Sequence, residues 1–168
     1  MTDGFTVLPY YPDSTLLPGV DCPGPEDRGL NLFFGGLWNE WSAAGQGVDV
    51  SALQALIDQG KLRYTLSGYL GGWEDQDDVA VLTVSFLDGS AAILDTGSIG
   101  PVWPEDRNYA TGLLRRTTQG RVPAGTRSLD IELGMWRGGG FWNFNNDGYA
   151  DNLELYLHVS DAPGAPTD

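Results

Sequence analysis

Four stretches of the chain alternate between apolar and polar residues, the pattern of a β-strand with one buried face. They are residues 61–70, 79–87, 127–136 and 152–159. In the third stretch, for example, every second residue from 129 to 135 is apolar. Strands of this kind bury their apolar faces between two stacked sheets. The four stretches therefore predict the central strands of a β-sandwich.

Weaker patterns predict four further strands and one helix. The strands are expected at residues 5–10, 30–34, 91–95 and 112–117. Turns are expected at 88–89 and 122–125, where Gly and Pro interrupt the apolar runs. A helical spacing of apolar residues covers 50–57 and ends near Gly60. We expect an all-β, antiparallel two-sheet sandwich with one short helix, forming a single domain over 1–160 and a tail over 161–168.

The charge balance narrows the range of partners. The 168 residues include 23 acidic and nine basic side chains, so the formal net charge is −14. Such a surface repels nucleic acid and anionic lipid, and it tolerates a divalent cation. Four arginines fall in one short stretch, and we expect them to offset acidic neighbours. They are Arg115, Arg116, Arg121 and Arg127.

Several kinds of site are missing from the sequence. Cys22 is the only cysteine, which excludes an internal disulfide, and His158 is the only histidine, which excludes a site with two imidazoles. His158 itself is expected on a polar strand face. No apolar run reaches the length of a membrane span. No nucleophile elbow, phosphate loop or zinc triad is found, so an enzyme is not expected, although two carboxylates at an unknown separation could still hydrolyse glycosides.

The most unusual segment is the loop 137–148. Three glycines are followed by three aromatic residues and then by Asn and Asp side chains. Flat apolar rings beside fixed polar groups suit the binding of a sugar. We expect Trp142, Phe144, Asn146 and Asp147 to contact a ligand. The alternative is that Trp142 or Phe144 plugs the end of the sandwich.

A second loop, 72–78, carries Trp73 and four carboxylates within five residues. Oxygen-rich loops suit calcium, and we expect Asp75 and Asp78 to be ligands, although a solvated acidic turn fits equally well. Trp73 and Gln76 are further candidates for ligand contact. Trp103 is either a platform for a ligand or a lid over the core. Trp38 and Trp41 are expected in the core or against a partner.

Three segments together resemble a family of extracellular bacterial modules with a galactose-binding-like, jelly-roll fold. They are residues 27–36, 67–78 and 146–153, and residues 99–102 and 122–127 fit the same pattern between them. The resemblance covers nearly the whole chain, and it implies the fold more strongly than the ligand, because modules with this fold bind different partners. It also implies an extracellular or surface-exposed location, although residues 1–4 do not resemble a secretory signal.

The resemblance further implies a structural calcium ion. In galactose-binding modules the equivalent of Asp151 often helps to bind this ion, and Asp27 is a weaker companion. Gln76 and Asp78 also match the family pattern, in which they hold their loop by hydrogen bonds. These roles are implied by the resemblance alone.

One departure from the family concerns the first strand. Members usually begin with an additional strand before the equivalent of Phe5, whereas only four residues precede it here. Without that strand a sheet edge is exposed, and natural sheets cover or pair such edges. We therefore expect a neighbouring chain, or an upstream segment, to cap this edge.

Two functions remain open from the sequence. The first is a non-catalytic carbohydrate-binding or adhesion module that recognises a glycan or polysaccharide. The second is a structural subunit, such as a virion surface or appendage protein, that uses the same fold for contacts between proteins. Glycan titration and the mass of the protein in solution distinguish them.

Overall fold

The computed structural model describes residues 2–14, 17–139 and 144–160, which form ten β-strands and one short α-helix. The strands are β1 (Thr2–Asp3), β2 (Thr6–Pro9), β3 (Asn31–Leu37), β4 (Trp41–Asp49), β5 (Leu62–Gly72), β6 (Val79–Leu87), β7 (Ile93–Ile99), β8 (Gly112–Arg121), β9 (Ser128–Trp136) and β10 (Asn145–Val159). The helix α1 (Gln54–Asp58) follows a 3₁₀ turn at Ser51–Leu53, and a second 3₁₀ turn covers Pro104–Arg107. No helix in these ranges is long and apolar enough to cross a membrane.

The strands form two five-stranded sheets. Sheet A has the order β1-β4-β9-β6-β7, and sheet B has the order β2-β3-β10-β5-β8. Neighbouring strands are antiparallel in both sheets. The predicted fold class, an all-β jelly-roll sandwich with one short helix, is confirmed.

The main core lies between the sheets and follows the predicted alternation. On β9, Leu129, Leu133 and Met135 are buried, whereas the intervening acidic residues are exposed. Burying one such side chain stabilises the fold by about 1.5–3 kcal/mol. On β10 the leucines from 153 to 157 pack against the same core, but Val159 is exposed because it is the last residue of the strand.

Strand β4 has no counterpart in the sequence predictions. It pairs with β9 along its whole length, from Trp41 opposite Trp136 to Asp49 opposite Ser128. Its sequence is rich in Gly and Ala, so it lacks the apolar alternation that marks a strand. Pairing with β9, and not the strand preference of its own side chains, therefore determines the conformation of β4.

A second apolar cluster covers half of the outer face of sheet B. This half lies near the first residues of β10. The buried members of the cluster are Cys22, Leu32, Phe34, Leu113 and Tyr149. Residues 17–30, which precede β3, lie over this half, and Arg28 anchors them by donating hydrogen bonds to the carbonyls of Gly19, Cys22 and Pro25. The other half of the outer face is left open to solvent.

The two sheets separate along one side. β1 pairs with β4 only at Ala43 and Ala44, and β3 pairs with β10 only as far as Ala150. A cleft of about 800 Å³ opens between these two edges. Its walls are mainly apolar and include Phe5, Phe33, Val48, Leu153 and Leu155. Whether a neighbouring chain or an upstream segment covers this edge stays a prediction.

Candidate functional site

The tryptophans of the described residues gather at one end of the sandwich. They are Trp38 in the β3–β4 turn, Trp41 at the start of β4, Trp73 in the β5–β6 loop, Trp103 in the β7–β8 loop and Trp136 at the end of β9. We call this end, formed by the β3–β4, β5–β6, β7–β8 and β9–β10 connections, the loop end. Trp142, a predicted ligand contact, lies outside the described residues.

Trp38 and Phe144 form an exposed aromatic pair. Their ring centroids are 4.8 Å apart with an angle of 38° between the planes, and the Trp38 amide donates to the Phe144 carbonyl at 2.8 Å. The two residues are 71% and 46% exposed. Phe144 therefore lies at the surface instead of plugging the sandwich, and Trp38 is not a core residue.

Trp41 and Trp136 both lie on the outer face of sheet A. They are directly opposite each other in the β4–β9 ladder, and both are exposed. The Trp136 ring lies back over Gly134, since a Cβ on this glycine would collide with the far edge of the indole. The far edge of the ring thus lies over the strand, while the side chain remains 41% exposed.

Sequence reasoning missed Trp136 as a site residue, although a signal was present. In the alternation of β9, position 136 falls with the solvent-facing residues 130 and 132. A large aromatic residue in a solvent-facing register indicates a surface contact. Trp41 was expected in the core or against a partner, and its exposure excludes the core.

Arg107 joins the two loops that carry Trp73 and Trp103. Its buried guanidinium donates to four carbonyls, at Gly72 (2.9 Å), Glu74 (3.0 Å), Gln76 (3.3 Å) and Ala110 (2.6 Å). Burial lowers the pKa of Arg107. This side chain had no place in the sequence predictions.

The two loop tryptophans differ in exposure. Trp73 is half-buried and packs against the second apolar cluster. Trp103 is exposed, whereas the preceding Val102 is fully buried, so Val102 covers the core and Trp103 does not. Gln76 is half-buried, and its Oε1 is buried without a hydrogen-bond partner among the described residues.

Asn146 and Asp147 do not reach the surface, which corrects their predicted role as ligand contacts. Asn146 is 0% exposed, donates to the Met135 carbonyl at 3.0 Å and accepts from the Gly148 amide. Asp147 is 5% exposed and accepts a hydrogen bond from the Tyr149 hydroxyl at 2.8 Å. A bulge between Asn146 and Tyr149 turns both side chains inward.

Two carboxylates are buried together at the loop end. Asp78 accepts hydrogen bonds from the backbone amides of Gly138 (2.6 Å) and Asp147 (2.7 Å). Burial raises the pKa of Asp147 to about 6, the Tyr149 hydroxyl opposes this shift, and the nearby Asp78 adds to it. Burial, followed by the charge of Asp147, raises the pKa of Tyr149.

The four predicted calcium ligands lie in different surroundings. Asp151 accepts from the Tyr10 hydroxyl (2.7 Å) and the Asn152 amide (2.8 Å), and the Asn152 side chain donates to Asp27 (2.9 Å). Asp78 is occupied by backbone amides, and Asp75 is exposed.

Within residues 2–14, 17–139 and 144–160, no three acidic, His or Cys side chains come close enough to hold a metal ion. The structural calcium ion therefore stays a prediction.

No protein-family model and no curated protein sequence matches the chain. Solved structures do match it. The enzymatically active domain of bacteriophage CBA120 tailspike protein 4 is 12% identical with a TM-score of 0.49, over 95% of this chain but only 19% of that chain. TmCBM61 in complex with β-1,4-galactotriose is 12% identical with a TM-score of 0.48, over 95% of this chain and 88% of that chain. A family 16 carbohydrate-binding module is 18% identical with a TM-score of 0.46, over 76% and 77% of the two chains.

Proposed function

We propose that this domain is a non-catalytic carbohydrate-binding module whose ligand stacks on the tryptophans of the loop end. The observation that carries the proposal is the gathering of exposed indole rings there, with the far edge of the Trp136 ring lying over Gly134. The C–H faces of pyranose rings pack against flat aromatic surfaces of this kind. Exposed apolar patches on a polar surface mark binding sites.

Polar groups farther along the outer face of sheet A support the same proposal. On the outer face of sheet A, Glu132 of β9 is opposite Thr83 of β6, and Asp130 is opposite Ser85. The two carboxylates are exposed and the two hydroxyls are half-buried. Carboxylates and hydroxyls beside an apolar platform provide the hydrogen bonds that orient a sugar.

Titration with neutral oligosaccharides, followed by tryptophan fluorescence and calorimetry, tests the proposal. Trp136→Ala is expected to weaken binding about tenfold, because loss of ring stacking costs roughly 1.5 kcal/mol. Trp136→Phe keeps an aromatic face and is expected to retain most of the affinity. Leu94→Ala removes an exposed apolar side chain at the opposite end and serves as the control. Equal affinity in all four proteins would contradict the proposal.

A glycine pair isolates the orientation of the Trp136 ring. Gly134→Ala is expected to displace the indole and to weaken sugar binding, with a shift in tryptophan emission. Gly47→Ala is the matched control, since Gly47 lies on β4 with nothing within 4 Å of an added Cβ. Unchanged binding in Gly134→Ala would mean that the ligand does not contact this ring.

A second function, as a structural subunit, is favoured by the apolar cleft at the separated sheet edges. Apolar walls between incompletely paired strands suit a segment of another protein chain. Light scattering distinguishes the two functions. A stable oligomer without sugar affinity supports the subunit, whereas a monomer that binds sugar supports the module.

Two further expectations accompany the proposal. A carbohydrate-binding module acts on glycans outside the cell, so an extracellular or surface-exposed location is expected. If the protein binds a structural calcium ion, its melting temperature is expected to be higher in calcium than in a chelator. Equal melting temperatures in the two solutions would contradict the calcium prediction.

A further inference from the structure

The basic residues of this acidic chain fall into three groups. Three arginines form ion pairs, Arg116 with Asp106, Arg127 with Asp58 and Arg137 with Glu40. Arg28 and Arg107 are anchored to backbone carbonyls. The remaining basic residues, Lys61, Arg63, Arg115 and Arg121, form no ion pair within the described residues. The expectation that the arginine-rich stretch offsets acidic neighbours thus holds for Arg116 and Arg127 alone.

Arg63 and Arg121 lie side by side on the open half of sheet B's outer face. They are directly opposite each other in the β5–β8 ladder, and His158 is directly opposite Arg63 on the other side, in the β5–β10 ladder. The residues flanking Arg63 are buried in the core, so the row faces outward. Neighbouring strands are about 4.8 Å apart, which places the three side chains within reach of one ligand group. We call these three residues the basic row.

Among residues 2–14, 17–139 and 144–160, no carboxylate forms an ion pair with the basic row. The acidic side chain on this half of the face is Glu154, four residues from His158 along β10. Glu154 accepts hydrogen bonds from Ser67 and Tyr156, each at 3.3 Å. Like charges directly opposite each other destabilise a sheet. An anion bound between Arg63 and Arg121 would relieve this repulsion.

The surroundings of the basic row indicate the kind of anion. The next outward positions along β5 and β8 are Thr65 and Gln119, which can donate and accept hydrogen bonds. Arg115 lies on the same face of β8, six residues from Arg121 and therefore about 20 Å away. Arginine binds carboxylate groups in a paired geometry.

From these observations we propose that the open half of sheet B's outer face binds an acidic polysaccharide, with the carboxylate of a uronate residue held by Arg63 and Arg121. This surface is separate from the loop end, and it does not depend on the tryptophans. Its ligand is a polymer with carboxylates spaced along a hydroxyl-rich chain. The two facing arginines, which form no ion pair among the described residues, match the carboxylates of that ligand. The nearby hydrogen-bonding side chains match its hydroxyl groups.

Affinity electrophoresis in gels containing polygalacturonate tests the proposal. The native protein is expected to be retarded at low salt and released at high salt. The double variant Arg63→Gln/Arg121→Gln is expected to lose at least about tenfold in affinity. Arg116→Gln is the matched control, because it also removes one positive charge from β8. Arg116 already forms an ion pair with Asp106, so this variant is expected to bind polygalacturonate normally.

Three results would overturn the proposal. They are the absence of retardation of the native protein, an equal loss in Arg116→Gln, and tighter binding to single-stranded DNA than to polygalacturonate. Trp136→Ala is expected to retain polygalacturonate binding, so failure of this surface and failure of the loop end can be told apart.

Thermal unfolding provides a readout that does not depend on the polymer gel. Without ligand, Arg121→Gln is expected to raise the melting temperature by about 1–3 °C, because it relieves the repulsion with Arg63. Polygalacturonate is expected to raise the melting temperature of the native protein but not of the double variant. A lower melting temperature for Arg121→Gln in the absence of ligand would show that the two arginines do not repel each other, against the proposal.

Discussion

Asp147 shows how one buried residue makes stability depend on pH. Its carboxyl group is almost fully buried and has a folded-state pKa of about 6, above its ordinary value of 3.8. The folded protein therefore binds this proton more tightly than the unfolded chain does. The resulting stabilisation is fully present below about pH 4 and is lost as the pH rises through about 6.

Asp147→Asn is expected to remove this dependence. An amide keeps the oxygen that accepts from Tyr149 but cannot ionise, so the free energy of unfolding at pH 7.5 should increase by about 1–3 kcal/mol. Urea unfolding at pH 4.5 and 7.5 measures the effect, and the difference between variant and native protein should be larger at pH 7.5. An equal difference at both pH values would mean that the carboxylate is not strained by burial.

At the same scale, the structure places Trp103 and Phe144 at the surface and buries Asn146 and Asp147, whereas ligand contact by the two aromatic residues stays a prediction. The aromatic character of the loop end was visible in Trp73, Trp103 and Phe144, because rings of that size near glycine-rich turns have few places to be buried. Asn146 and Asp147 looked equally suitable for ligand contact. The bulge that turns them inward depends on pairing with β3 and β5, and no local pattern reports that pairing.

Arg107 acts at the scale of elements, since it ties the β5–β6 loop to the β7–β8 loop. Its four hydrogen bonds end on the backbone carbonyls of Gly72 at the end of β5, of Glu74 and Gln76 in the β5–β6 loop, and of Ala110 in the β7–β8 loop. A planar, always charged group with several donors suits this position. The positions of Trp73 and Trp103 relative to each other depend on this one side chain.

Arg107→Met is expected to destabilise the protein by about 3–5 kcal/mol, because buried carbonyls lose their donors. Arg107→Lys should recover only part of the loss, since one ammonium group cannot span both loops. Arg116→Gln, which breaks a partly exposed ion pair, should cost less than about 1 kcal/mol. Denaturant unfolding of the three variants gives the comparison, and similar losses for Arg107→Met and Arg116→Gln would contradict this role.

Strands were predictable from the sequence where apolar and polar side chains alternate. Strand β6 has the bounds that its pattern predicted, because Ala80, Leu82, Val84 and Phe86 all face the core. Strand β4 was missed, since it presents mostly small residues on both faces. Its conformation comes from the ladder with β9, a contact between residues 79 to 95 positions apart.

At the scale of the whole molecule, the cleft divides the core into a closed and an open part. Leu70 is fully buried and does not line the cleft, whereas Leu155 lies half-buried in its wall. Solvent that enters the cleft already hydrates part of the Leu155 side chain. The two leucines therefore contribute unequally to stability.

Leu70→Ala is expected to cost about 2–5 kcal/mol, and Leu155→Ala less than about 1.5 kcal/mol. Thermal or urea unfolding of the two variants, at several protein concentrations, measures both. A large, concentration-dependent loss for Leu155→Ala would instead mean that a second chain fills the cleft.

The length of β5 sets the distance between the loop end and the basic row, and therefore between the two polymers proposed to bind there. Gly72 marks the loop end, and Arg63, nine residues away, marks the basic row about 30 Å off. A protein that holds a neutral glycan at one extremity and a uronate polymer near the other joins two separate matrices. Added to a mixed gel of the two polymers, it is expected to stiffen the gel in proportion to its concentration.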